Sequence, residues 1–145
     1  MLVPILYLLL LLGCVGLAMW LGSATERWGG AILFLESIAS PLVAQPHHAR
    51  WHSIEPGILL VDFLGLAAFL ILAIRSRRFW PIWAAAFQLL VVAANLAEAS
   101  RTSSKAIGYA LNEQFWAYPM LILLAIVSVR GHLRRQAMQA PYERF

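Results

Sequence analysis

An all-helical, polytopic transmembrane bundle is the fold class this sequence predicts, and three observations predict it. The chain is 61% hydrophobic and only 12% charged, against roughly 45–50% apolar content in soluble domains, and its mean hydropathy is +0.73. Its apolar runs approach the length of about 20 residues that crosses about 30 Å of hydrocarbon. Between two of those runs stand Arg75, Arg77, Arg78 and Pro81, the pattern of a tight hairpin. Short loops rich in Lys and Arg are retained on the cytoplasmic side during insertion, so this hairpin orients the rest of the chain. With 145 residues, four or five helices fill the length and leave no separate soluble domain.

Residues 2–21 form the first expected span, a leucine-rich run without a charge. A signal peptide would carry a basic segment ahead of a shorter apolar core, and Met1, Leu2, Val3 and Pro4 supply none. Gly13 and Gly16, one turn apart, offer a surface for close helix approach. Residues 28–44 are the ambiguous second segment, short for a span, with Glu36 at the centre and Pro41 near the end. If it spans, the bundle has five helices, the N-terminus outside and the C-terminus cytoplasmic. Arg27, Arg75, Arg77, Arg78, Arg130, Arg134, Arg135 and Arg144 then fall inside, leaving Arg50, Arg101 and Lys105 outside. If it is re-entrant, four spans remain and Arg27 moves out. Five spans satisfy the charge rule better.

Residues 45–56, QPHHARWHSIEP, are a polar interlude bounded by prolines, with Trp51 as an interfacial anchor. Residues 57–74 are a span interrupted by Asp62. After the hairpin, Phe79 and Trp80 are expected at headgroup level and Pro81 in a first helical turn. Residues 79–98 continue as a span carrying Gln88, Asn95 and Glu98, with alanines 84–86, 93, 94 and 97 as small packing surfaces. A loop at 99–105 leads into the last span, 106–129, which holds Asn112, Glu113, Gln114 and Pro119. The basic tail, 130–145, is expected along the cytoplasmic headgroups, where each cation contributes about 1 kcal/mol near anionic lipid.

The segments RFWPIWAAAFQL and FWAYP together resemble a family of small, uncharacterised multi-pass inner-membrane proteins of alphaproteobacteria. The resemblance covers roughly residues 26–129 and implies a helical bundle in the cell inner membrane. It implies no catalytic residue.

The net charge of +4 follows from positive-inside loops, so the arginines, including Arg75, Arg77, Arg78, Arg130, Arg134 and Arg135, point to topology and lipid headgroups, not to nucleic acid. Cys14 is the single cysteine and has no disulfide partner in the chain. No GxSxG, phosphate loop or HExxH occurs, so no catalytic residue is nominated. None of the four histidines lies in a predicted span, and no cofactor is expected. His48, His52 and Glu55 are spaced at i, i+4 and i+7, which on a helix would align two imidazoles and a carboxylate for zinc or copper. Pro46 and Pro56 argue against that helix.

Polar groups inside spans carry the remaining functional content. An ionised side chain at a span centre costs about 2.5–3.5 kcal/mol on insertion scales, so Glu36, Asp62, Gln88, Asn95, Glu98, Asn112 and Glu113 each need a partner or a role. Antiparallel threading puts Asp62, Asn95, Glu98, Asn112 and Glu113 in the outer half. Asp62 shares a face with Glu55, and Gln88, Asn95 and Glu98 share another. Two such stripes on neighbouring helices either fix helix register or line an outward-facing cavity. Glu36 stands apart from them: if its segment spans, the carboxyl is expected to be protonated or paired, and if the segment is interfacial, it faces water. These features predict a non-enzymatic accessory or assembly subunit of a larger membrane complex, with lipids and a membrane-protein partner or further copies of itself around it. The alternative is a small oligomeric transporter or channel for a proton, ion or small molecule.

Overall fold

The computed structural model describes the backbone of residues 2–43, 56–99 and 106–139 and the side chains of 5–43, 56–97 and 115–139. Five helices account for nearly all of it: α1 Leu2–Leu21, α2 Ala24–Val43, α3 Pro56–Arg75, α4 Trp80–Ala99 and α5 Ala106–Gln139. No strand occurs among the described residues. Three stretches, Pro56–Arg75, Trp80–Ala97 and Phe115–Gln139, are long and apolar enough to cross a membrane, and Ile5–Leu21 is a shorter apolar helix.

Local chemistry sets the helix ends. Gly22 closes α1 by donating its N–H to the Ala18 carbonyl at 3.0 Å. Ser23 then opens α2 as its N-cap: Ser23 N–H donates to Glu26 Oε2 at 2.6 Å, and the Ser23 hydroxyl meets the same oxygen. This is the side-chain-to-backbone half of a capping box. It starts α2 at Ala24, four residues ahead of the expected position, and brings Glu26 and Arg27 into the helix. Pro56 begins α3, where its missing N–H has no partner to lose. Ser76 N–H donates to the Leu72 carbonyl at 2.9 Å as α3 ends, and Ile82 N–H to the Phe79 carbonyl at 3.2 Å as α4 begins. At its far end α5 continues ten residues past the expected boundary. Leu133 to Gln139 contain good helix formers and no breaker, so at least this part of the basic tail is helix.

The helices pack in a closed ring in chain order, α1 on α2, α2 on α3, α3 on α4, α4 on α5 and α5 back on α1, with α2 also touching α5 across the middle. Leu11, Cys14, Ala18, Leu33, Phe69, Trp80, Ala84, Ala85, Met120, Leu121 and Leu124 form the apolar core. Outside it, Leu9, Leu42, Leu64, Ile74 and Ile122 are among many exposed large apolar side chains. That distribution, polar groups within and aliphatic groups without, suits a hydrocarbon solvent.

Trp80 packs inward, and one packing expectation is corrected. Phe79 is 82% exposed, but Trp80 is 6% exposed and its ring lies against Gly29, where a Cβ would overlap it. A bare glycine on α2 therefore draws this tryptophan into the core. Gly13 and Gly16 do the opposite of what their spacing suggests: a Cβ on either would meet nothing within 4 Å, so no described helix approaches them closely.

Candidate functional site

Buried polar groups from α2, α3 and α4 meet inside the bundle. Asp62, on the buried face of α3 with Ile58, Val61, Gly65 and Phe69, accepts a hydrogen bond at Oδ2 from Asn95 Nδ2 of α4 at 2.5 Å. Two turns away on α4, Gln88 is 3% exposed. Its Nε2 donates to Glu36 Oε1 of α2 at 3.0 Å and lies 3.4 Å from the Asp62 backbone carbonyl. One amide therefore links all three helices.

Gly65 makes the arrangement sterically feasible. A Cβ at this position would collide with the Glu36 carboxyl and lie 3.2 Å from Gln88 Nε2. The absent side chain leaves a recess in α3, and the Glu36 carboxyl occupies it. The recess explains why Glu36 belongs with Asp62, Gln88 and Asn95 and does not stand apart as its position in the sequence suggested. An interior polar group in a low-dielectric setting is stabilised only when its hydrogen bonds are made, and each of these four makes at least one bond to another of them. The side chains of Glu98, Asn112 and Glu113 lie outside the described residues, as do His48, His52 and Glu55.

A second cluster sits at the end of the bundle that holds the 22–23 turn and the 76–79 hairpin. Glu26 is 1% exposed. One of its oxygens caps α2 through Ser23, and the other faces the Arg78 guanidinium of the hairpin at 3.6 Å. Arg135 of α5 donates to the Leu21 carbonyl at the end of α1. Gly131 of α5 sits beside Arg78, its added Cβ 3.9 Å from the guanidinium. Three helices, α1, α2 and α5, and the hairpin thus meet at the end of the bundle that holds this buried carboxyl group. The motif Ser23, Ala24, Thr25, Glu26 is a local signature of the capping part of this cluster, and placing the helix start at residue 28 concealed it. Arg27, Arg75, Arg77, Arg78, Arg130, Arg134 and Arg135, the Lys and Arg residues among the described side chains, all belong to this end. The exposed aromatic rings of Trp20, Trp28, Phe79 and Trp83 flank it.

Elsewhere the polar side chains serve packing. Tyr7 and Ser37 hydroxyls pair at 2.9 Å between α1 and α2, and Tyr7 meets Tyr118 of α5 edge to face, with ring centroids 5.8 Å apart. The buried Ser128 hydroxyl donates to the Leu124 carbonyl one turn back at 2.7 Å. Trp116 lies beside Phe87 and edge-on to Phe115, joining α4 to α5. No group of three or more His, Cys, Asp or Glu side chains among the described residues is placed to hold a metal ion. No protein-family model, curated protein or solved structure matches the chain.

Proposed function

We propose that this protein is a non-enzymatic accessory or assembly subunit of a larger membrane complex, threaded five times through the cell inner membrane with its N-terminus outside and its C-terminus in the cytoplasm. The observation that carries the reading is where the interior polar groups are directed. Glu36, Gln88, Asp62 and Asn95 bond to one another across three helices, the arrangement expected of groups that fix helix register. The outer faces carry apolar side chains suited to lipid or to another membrane protein. The threading draws support from the hairpin end, where the arginines gather and interfacial aromatics flank them.

Mild-detergent purification of the chain from its native membrane, with mass determination, tests the role. Stoichiometric protein partners that survive a salt wash are the expected result. A chain that emerges alone or only with copies of itself overturns it.

One observation favours a second reading, the small oligomeric transporter or channel. Two carboxyl groups, those of Glu36 and Asp62, lie in one interior cluster, joined through Gln88 and the Asp62 backbone carbonyl, and intramembrane carboxyls mark proton or cation pathways. A flux in liposomes that Asp62→Asn abolishes would favour transport. Asp62→Asn that leaves insertion intact and alters only stability agrees with the subunit.

A further inference from the structure

We propose that Glu36 is a membrane-embedded proton-binding carboxyl, seated neutral in the Gly65 recess and open to modification by an apolar carboxyl reagent. Glu36 lies near the middle of α2 (Ala24–Val43), well away from either end of the helix. Its Oε1 fills the space over Gly65 and accepts from Gln88 Nε2 at 3.0 Å. Gln88 is neutral at every pH, so this bond fixes the carboxyl without compensating a charge.

Among the described side chains, the groups around it are equally unable to neutralise an anion. From α3 the neighbouring titratable group is Asp62, whose own backbone carbonyl shares the Gln88 amide and whose carboxyl brings no positive charge. From α4 come Gln88 and Asn95, both amides. From α1 comes Tyr7, whose hydroxyl pairs with Ser37, and from α5 comes Tyr118, which packs edge-on to Tyr7. Among the described side chains every arginine is at the hairpin end. An ionised carboxylate at this depth is costly without a cation, and a proton removes the cost. The residue is also only partly buried, so part of it remains exposed.

That combination, a protonated carboxyl in an apolar setting on a partly exposed residue, is what a hydrophobic carbodiimide modifies. The acid proton passes to one carbodiimide nitrogen while the carboxylate oxygen bonds to the central carbon. The O-acylisourea formed then rearranges by acyl migration to a stable N-acylurea. No electron transfer and no further reactant are involved.

The test uses the full chain, folded in mild detergent, treated with dicyclohexylcarbodiimide over a series of pH values and mapped by mass spectrometry. The expected adduct is on Glu36, and its yield falls about tenfold per pH unit once the carboxyl ionises. Asp62→Asn is expected to retain the adduct. An unmodified Glu36 across the series, an adduct on Asp62 alone, or labelling of Glu36 that does not change with pH overturns the proposal. The wild-type chain carries the readout, so the outcome does not depend on whether a variant folds. The inference goes beyond the subunit reading, because labelling and co-purification succeed or fail independently.

Discussion

The interior cluster and the hairpin-end cluster solve the same problem, a buried carboxyl group, in opposite ways. At the hairpin end, Glu26 is covered but sits beside an arginine that is 45% exposed, and its other oxygen caps a helix. Its charge is compensated by a cation in contact with water. In the interior, Glu36 and Asp62 have amide partners, Gln88 and Asn95, and Glu36 fits only because Gly65 gives way. One cluster depends on charge and tolerates imprecise distances. The other depends on shape. The difference teaches where each kind of chemistry is affordable: ion pairing at the polar boundary, and hydrogen bonds from amides with steric fit within the bundle.

Substitutions that break the interior fit should have the largest effect. Gly65→Val forces a branched side chain into the Glu36 carboxyl, and overpacking of this kind costs about 1–3 kcal/mol. Thermal unfolding in detergent should register it as the largest loss among these variants. Asp62→Ala removes the acceptor of the Asn95 bond, a smaller expected loss of about 0.6–1.7 kcal/mol, the range for interhelical hydrogen bonds in membranes. Neither loss should depend on salt.

Glu26→Gln sharpens the contrast from the other side. It keeps an oxygen for the Ser23 cap and removes the attraction to Arg78, so its cost should be no more than about 1 kcal/mol and should shrink as salt screens the pair. A salt-independent loss of the size seen at Gly65 would erase the distinction between the clusters. Smallest of all, Gly13→Ala adds a methyl group where nothing lies within 4 Å and should shift stability by no more than about 0.5 kcal/mol.

What could be read from the sequence follows the same division. The helices were legible because apolar content and Gly, Pro and Arg punctuation are local, and α3 and α4 match expectation to within a residue at each end. The meeting of Asp62 with Asn95 was legible too, since antiparallel threading puts both in one layer and periodicity gives each a face. Glu36 was not. Its partner is defined by a missing side chain on another helix, and Gly65 in an apolar run looks like any other small residue. Trp80 escaped for the same reason, since its burial depends on Gly29. The start of α2 was a different kind of error: the Ser23 and Glu26 signal was local and present, but the charge of Glu26 and Arg27 masked it in a reading led by hydropathy. The continuation of α5 to Gln139 was lost similarly, because a basic segment can be as helical as an apolar one.

The central structural claim is that the Glu36 carboxyl occupies the recess over Gly65 and so ties α2 to α3 and α4. A double-mutant cycle between Gly65→Ala and Glu36→Ala, followed by thermal unfolding in detergent, tests it most directly. If the carboxyl fills the recess, removing it makes room for the new methyl group. The double variant is then more stable than the two single losses add to, by about 0.5–3 kcal/mol, the coupling found between residues in contact. Strictly additive losses would mean that the two positions do not touch, and would contradict the account.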